Sequence, residues 1–352
     1  MKLNKNNNVL VAMSGGVDSS TAALLLLEQG YNVAGCTMDT GYGNAPEQAA
    51  TICKQLGIKH YIVDVKDRFE KEIIQSFLKS YLNGETPNPC IECNAKLKFP
   101  AFSMFFDIAN NDHYDYFATG HYVQKIVIND RYALKSNNTD KDQSYFLYRI
   151  SQEDLARCIF PLGELSKEEI RSISSRHGLS CSEQKDSYDI CFINGNYRDF
   201  LREKAPEHLQ PGDVVDEYGT VVGHHEGLSN YTFGQRRGLN IALGYPAHVL
   251  QIDLARNRLV VGPKSRLFSK KALITDCCFM AFDKIDQPLY TQVRIRHKAP
   301  LQKAMILSDS VNNSNYIIEF EEPVWGITPG QSAVFYNDDI VLGGGRIITS
   351  IL

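Results

Sequence analysis

The stretch VAMSGGVDSS, residues 11–20, lies between an apolar run, NVLVAM, and a helix-forming run, TAALLLLEQG. Ser14, Gly15 and Gly16 allow a tight turn that bares successive backbone N–H groups, and the positive end of the following helix dipole adds to them. Such a turn suits a polyphosphate. The GxxxxGK[ST] loop of the common NTPases requires a lysine after the glycines, and none follows here. A bare SGG is equally what a plain strand-to-helix connection carries; SGGVDSS as a whole is far more specific.

Outward from that loop, short β-rich runs alternate with helical stretches: YNVAGCT follows the first helix, KHYIVDV follows PEQAATICKQLG, and DYFATGHY follows a long helical segment. This alternation predicts an α/β fold with right-handed crossovers and a doubly wound parallel sheet. Ligands then sit beyond the C-terminal strand ends, where the glycine loop falls. YVQKIVINDRYALK, residues 122–135, reads as a hairpin around its ND. LSKEEIRSISSRHGL reads as a helix capped by Ser166 and closed by Gly178. From LQPGDVVDEYGTVVGHHEG onward, helical periodicity gives way to short strands punctuated by Gly, Pro, Asn and Asp, as in small barrels. The expected organisation is a catalytic domain over 1–208, a small central β-rich domain over 209–267 and a C-terminal β-barrel over 268–352.

A chain of 352 residues has room for two or three domains. With 43% apolar and 22% charged residues it has the composition of a folded protein and not of a disordered one. The net charge of -4 leaves no general positive field, so any nucleic acid must be met by local basic patches. No apolar run is long enough for a signal peptide or a membrane span, which points to the cytoplasm. Nine cysteines, an odd number, then argue for reduced thiols over a disulfide framework.

In TPNPCIECNAKLKF, Pro87 and Pro89 stiffen an extended lead into a helix, so Cys90 and Cys93 would share a face near its positive end, a position that favours thiolate. A CxxC is also half of a zinc site. No second CxxC exists, however, and the adjacent Cys277 and Cys278 are poorly spaced for chelation. Cys191, in DSYDICFI, lies between an acidic polar stretch and an apolar run, where a cysteine is often buried and inert. Cys36, Cys53, Cys158 and Cys181 read as structural for the same reason.

The glycine loop resembles that of the PP-loop ATP pyrophosphatases, which cut ATP between the α- and β-phosphates and transfer AMP to an oxygen. The resemblance assigns ATP binding to Ala12, Met13, Ser14, Gly15, Gly16, Val17, Asp18 and Ser19, with Asp18 helping to hold Mg²⁺, and places Met38 and Gly120 against the adenosine. Taken alone, Met38 reads as core. The motifs SGGVDSS, PNPxxxCN, ATGHY, KDQSYFL, CFI, YTFGQRRGL, VGP, TPGQ and LGGG follow one another in the order of the tRNA-specific 2-thiouridylase family, MnmA. That resemblance implies adenylation of O2 of wobble uridine 34 in tRNAs for Lys, Glu and Gln, then replacement of the oxygen by sulfur. Cys191 matches the persulfide-carrying cysteine and Cys93 the nucleophile, with sulfur arriving from a donor such as a cysteine desulfurase or a sulfur-relay protein.

By the same resemblance tRNA is contacted by Asn88, Pro89 and Cys90 at the target base, and by Lys141, Asp142 and Gln143 nearby. Further contacts fall to His121, Arg236, Arg237, Arg296, His297 and Gln331. RIRHKAP reads as a strand with Arg294 and Arg296 on one face. Three departures stand out. Cys90 replaces the family's usual Asp, His297 replaces Tyr, and the loop DTGYGNAPEQ after Met38 is short and lacks the usual Trp and acidic cluster. The first creates a CxxC plus a distant Cys, which resembles the three-thiolate [4Fe–4S] sites of other PP-loop tRNA thiolases. Two alternatives therefore stand: a persulfide relay with Cys90 as a spare or resolving thiol, or a cluster on Cys90, Cys93 and Cys191. Outside thiolation, another PP-loop adenylating ligase or a non-catalytic RNA-binding protein on the same fold are the competing readings.

Overall fold

The structure, a computed structural model, describes residues 7–351 except 109–112, 138 and 185–189, and omits the side chains of 105–108. β1 (Asn8–Ala12) leads through the glycine turn into α1 (Val17–Glu28). β2 (Asn32–Asp39), α2 (Ala45–Leu56) and β3 (Lys59–Asp64) follow, then β4 (Tyr116–Ala118), the hairpin β5 (Gln124–Ile128) and β6 (Arg131–Lys135), and β7 (Cys158–Ile159). The parallel sheet has the order β3-β2-β1-β4-β7. Val9, Leu10 and Val11 of β1 are each 0% exposed, as both faces of a central parallel strand must be. Val9 and Val11 pack with Ala22, Ala23 and Ile52 of the helices on one face, and Leu10 packs with Phe99, Phe102 and Phe117 on the other.

The strand order reverses at β1, which pairs with β2 on one side and β4 on the other. A ligand crevice opens at such a switch point. The SGG turn after β1 and Gly120 after β4 flank it. The helix Lys167–Arg176 is closed at its start by a full capping box, Ser166 with Glu169, and its Ile170 packs in the same cluster as α1.

β8 (Gly212–Val215), β9 (Val221–His225), β10 (Ala247–Asp253) and β11 (Arg258–Pro263) form a small sheet of order β10-β11-β8-β9. Beyond it, β12 (Phe268–Phe279), β13 (Leu289–Arg294), β14 (Gln302–Ser308), β15 (Tyr316–Trp325), β16 (Ser332–Asn337) and β17 (Ile340–Ile351) are antiparallel. Pairing of β12 with β17 closes these six into a barrel. The β5–β6 hairpin, far away in sequence, extends the same sheet by pairing β6 with β17. Val334, Tyr336 and Val341 of the barrel accordingly share one buried cluster with Phe99, Phe117 and Tyr145. No helix among the described residues is long and apolar enough to cross a membrane.

Candidate active site

Gly15 has φ +78°, and a Cβ there would lie 2.4 Å from Cβ of Gln48 on α2, so only glycine fits. The short loop after Met38 brings α2 against the turn. Gly120 is constrained from the other side: its Cβ would lie 2.8 Å from the Ser19 nitrogen. No side chain caps α1, so its first-turn N–H groups face the crevice without an internal acceptor. The Ser14 and Ser19 hydroxyls lie 3.2 Å apart, and Ser20 Oγ donates to Gly16 O at 2.7 Å, which fixes the turn from within. Ala12 is half-buried, while Met13 and Val17 are 3% and 5% exposed, so these positions offer backbone, not side chains. Met38 is half-buried between two apolar clusters at the end of β2.

The lysine missing from the loop arrives from elsewhere. Lys167, the first residue of its helix, places Nζ 2.7 Å from Asp18 Oδ1, and the Tyr122 hydroxyl donates to the same oxygen at 2.5 Å. The Lys167 side chain is 10% exposed, so this cation is held at the turn and does not roam in solvent. Asp18 Oδ2 takes no hydrogen bond among the described residues. It is the atom that would hold Mg²⁺, with Oδ1 kept in place by its two donors.

The thiols are brought together by a helix that starts at Pro89, just after Asn88, and runs into a π-helical stretch, Cys93–Lys98. The π register, with its i→i+5 bond, sets Lys98 one turn beyond Cys93. Cys191 is carried into the same neighbourhood by Phe192 and Ile193, which are buried against Phe69, Phe77 and Phe200. The residues just before it, 185–189, lie outside the described set. Cys90 and Cys191 reach solvent and Cys93 is half-exposed, with all three free. The thiols feel one another: ionising Cys191 disfavours ionisation of Cys90 and of Cys93, and the Lys98 ammonium favours it at all three.

The expected thiolate is not what results. Crowding by protein outweighs Lys98, so Cys90 and Cys191 are raised above the usual thiol range and Cys93 is pushed up to about 11. Nor are the thiols arranged as a ligand set, since among the described residues no three His, Cys, Asp or Glu side chains are grouped to hold a metal ion. Cys36, Cys53, Cys158 and Cys181 are each 0–1% exposed in the core.

Three domain families match this chain in succession: the tRNA methyl transferase HUP domain over residues 7–195, the tRNA methyl transferase PRC-barrel domain over 198–263 and the aminomethyltransferase beta-barrel domain over 269–347. Full-length relatives are named tRNA-specific 2-thiouridylase MnmA. The protein of Natranaerobius thermophilus is 39% identical over 97% of this chain and 98% of its own. That of Heliobacterium modesticaldum is 41% identical over 97% and 93%, and that of Acetivibrio thermocellus 41% over 96% and 98%. The chain belongs to the tRNA-specific 2-thiouridylase MnmA family. Among solved structures, a 4-thiouridine synthetase in complex with RNA and ATP is 17% identical over 57% of this chain and 51% of its own, with a TM-score of 0.36, too remote to argue from.

The residues that the MnmA resemblance assigns to tRNA fall into two groups. Asn88, Pro89 and Cys90 lie at the start of the thiol helix, and the segment ahead of them is fastened to the barrel: Gln331 Nε2 donates to Thr86 O at 2.8 Å, and Thr86 N donates to Pro329 O at 2.8 Å. Arg149 pairs with Glu92, between the two cysteines of the CxxC, and also reaches the Cys278 thiol. His121 stacks on Phe99, and burial together with nearby Lys98 holds it neutral. His121 thus joins Gly120 at the glycine turn to Lys98 at the thiols.

In the second group, Asp142 is only 6% exposed, its carboxylate accepting from Ser144 and facing Arg294 at 3.6 Å, so it braces the segment from within. Gln143 Oε1 accepts from Tyr122 N at 3.0 Å, and His297 Nε2 lies 3.2 Å from Asp142 O with its ring against Phe146, while Lys141 is half-buried beside them. Arg294 and Arg296 do not share a strand face. β13 ends at Arg294, which turns inward over Tyr336, whereas Arg296 lies beyond the strand on Trp325. Arg236 and Arg237 are exposed. Lys167, Tyr122, Lys98 and Arg149 were given no role by the sequence, although Tyr122 closes the ATGHY motif, Lys98 lies in the CxxC stretch and Lys167 opens the helix after Ser166.

Proposed function

We propose that this protein is an ATP-dependent tRNA 2-thiouridylase. ATP lies with its phosphates on the SGG turn and its adenosine between Met38 and Gly120, and Asp18 and Lys167 face the departing pyrophosphate. Mg²⁺, held through Asp18, would neutralise phosphate charge. O2 of a tRNA uridine attacks the α-phosphorus, pyrophosphate leaves, and the ring carries AMP on oxygen. The terminal sulfur of a persulfide on Cys191, loaded by a sulfur-donor protein, then adds to C2, and AMP departs with the oxygen. Cys93 attacks the remaining S–S bond, which frees 2-thiouridine and leaves a Cys93–Cys191 disulfide. Two electrons from an external thiol restore the pair. A pyrimidine carbonyl oxygen is a poor leaving group, which is why adenylation must precede sulfur transfer.

The observation that carries this reading is the convergence of Cys93 and Cys191, distant in sequence, around Lys98, with His121 and Gly120 bridging to the phosphate turn. Wobble uridine 34 of the Lys, Glu and Gln tRNAs is the expected target, and a cytoplasmic site goes with it. Incubation with cognate tRNA, ATP and a persulfide source should yield AMP, pyrophosphate and 2-thiouridine in equal amounts; no tRNA-dependent AMP refutes the proposal. The [4Fe–4S] alternative requires Cys90, Cys93 and Cys191 to regroup as iron ligands. Anaerobically purified protein should be iron-free and fully active; activity that tracks bound iron and sulfide would install the cluster instead.

A further inference from the structure

The chain has a single tryptophan, Trp325, at the end of β15. Two cations meet its indole: the Arg296 guanidinium at 4.7 Å from the ring centroid and the Lys264 ammonium at 5.5 Å. Neither forms an ion pair among the described residues. The nearby Arg266 does, with Glu217 at 2.8 Å, so a carboxylate of the region is already committed. Like charges on one ring repel, and a cation–π contact at a partly open site offsets only about 0.5–1 kcal/mol each. The pair is thus electrostatically incomplete without an anion.

A third basic segment touches the same ring through its backbone. A Cβ at Gly234, whose φ is +78°, would lie 3.8 Å from Trp325 Cζ2, so the loop YTFGQRRGL rests on the indole edge. Gly234 N donates to Val249 O at 2.9 Å, which ties that loop to β10 and sets the exposed Arg236 and Arg237 two and three residues further on. Cations from two separate segments therefore meet one indole, and the loop that carries Arg236 and Arg237 rests on its edge, in a chain whose net charge is -4.

We propose that Trp325 and Lys264 form, with Arg296 and the Arg236–Arg237 loop, a clamp for a single-stranded stretch of RNA between the central sheet and the barrel. An unpaired base stacks on the Trp325–Arg296 layer, and Lys264 takes the adjoining phosphate. A flat ring beside a flat guanidinium suits an unstacked base, which a duplex does not offer. The clamp rests on the reading of tRNA as substrate and adds a grip away from the thiols, holding nucleotides that flank the target while its base is drawn inward.

Because Trp325 is the sole tryptophan, its fluorescence reports on the clamp directly. Titration of the full-length protein with unmodified tRNA should quench that emission in step with binding measured by filter retention. Trp325→Ala should weaken tRNA binding roughly 10- to 100-fold, Trp325→Phe should restore much of it, and Lys264→Gln should lower the slope of log K against log salt by about 1. Melting temperatures identify a variant that has merely unfolded, and the fluorescence titration of the unaltered protein needs no variant. If filter retention shows tRNA bound while emission and Trp325→Ala affinity are unchanged, the clamp is refuted and the thiolation reading stands. If the protein binds no tRNA at all, both fall. Duplex DNA displacing tRNA at equal affinity would also overturn the single-strand assignment.

Discussion

Gly120→Ala places one methyl group between the exit of β4 and the first turn of α1. On the observed backbone the new Cβ lies 2.8 Å from Ser19 N, 2.9 Å from Asp18 C and 3.1 Å from Asp18 O. Comfortable contact begins near 3.5 Å, so roughly 0.7 Å of separation must be found. All three obstacles are backbone atoms and cannot swing aside. Ala22, Ala23 and Leu26 hold α1 with 0–1% exposure, so the strain passes to residues 14–18, the turn itself. Overpacking of this kind costs about 1–3 kcal/mol of stability, and misplacing a reactant by about 1 Å costs on the order of 100-fold in rate. The variant should fold with a lowered melting temperature, and kcat/KM for ATP in tRNA-dependent pyrophosphate release should fall roughly 30- to 100-fold. Affinity for tRNA should fall far less, since apart from the neighbouring His121 the residues assigned to tRNA lie away from this glycine. Native kcat/KM for ATP in Gly120→Ala would refute the placement of ATP against this glycine.

Three more outcomes follow from the site. Lys167→Ala removes a cation beside the leaving pyrophosphate and should slow AMP formation by about 100-fold; its melting temperature should move little, because an ion pair partly open to solvent contributes about 1 kcal/mol or less. Equal losses in both would make Lys167 structural. With Cys93 pushed up to about 11, the thiol is protonated at neutral pH, so single-turnover sulfur release should rise close to tenfold per unit between about pH 7 and 9 while AMP formation does not; a flat profile for sulfur release would contradict that. Lys98→Met removes the cation that favours all three thiolates and should shift the same profile to higher pH, whereas an unshifted profile would remove Lys98 from the account.

The parallel sheet was legible because β1, β2 and β3 carry β-rich runs broken by helix-forming ones, and the helix after Ser166 because Ser166 and Gly178 mark its two ends. The chemistry was legible only in part. Burial at Cys93 reversed the expected drop in thiol pKa, since the positive end of a helix is a local feature and desolvation depends on Phe192 and its neighbours, brought in from far along the chain. Lys98 acts on the thiols from within a π-helical stretch, Cys93–Lys98, a register that the spacing of the sequence does not announce. Lys167 and Tyr122 meet Asp18 through tertiary packing, which no spacing encodes. Arg294 reads as a surface cation beside Arg296 and turns inward because Asp142 waits there.

The central claim is that sulfur reaches C2 from Cys191 after the uridine has been adenylated. Cys191→Ser, given cognate tRNA, ATP and the persulfide donor, should form AMP at the rate of the unaltered enzyme while nucleoside mass spectrometry finds no 2-thiouridine. Thiolated uridine from that variant, at any rate near normal, would contradict the account.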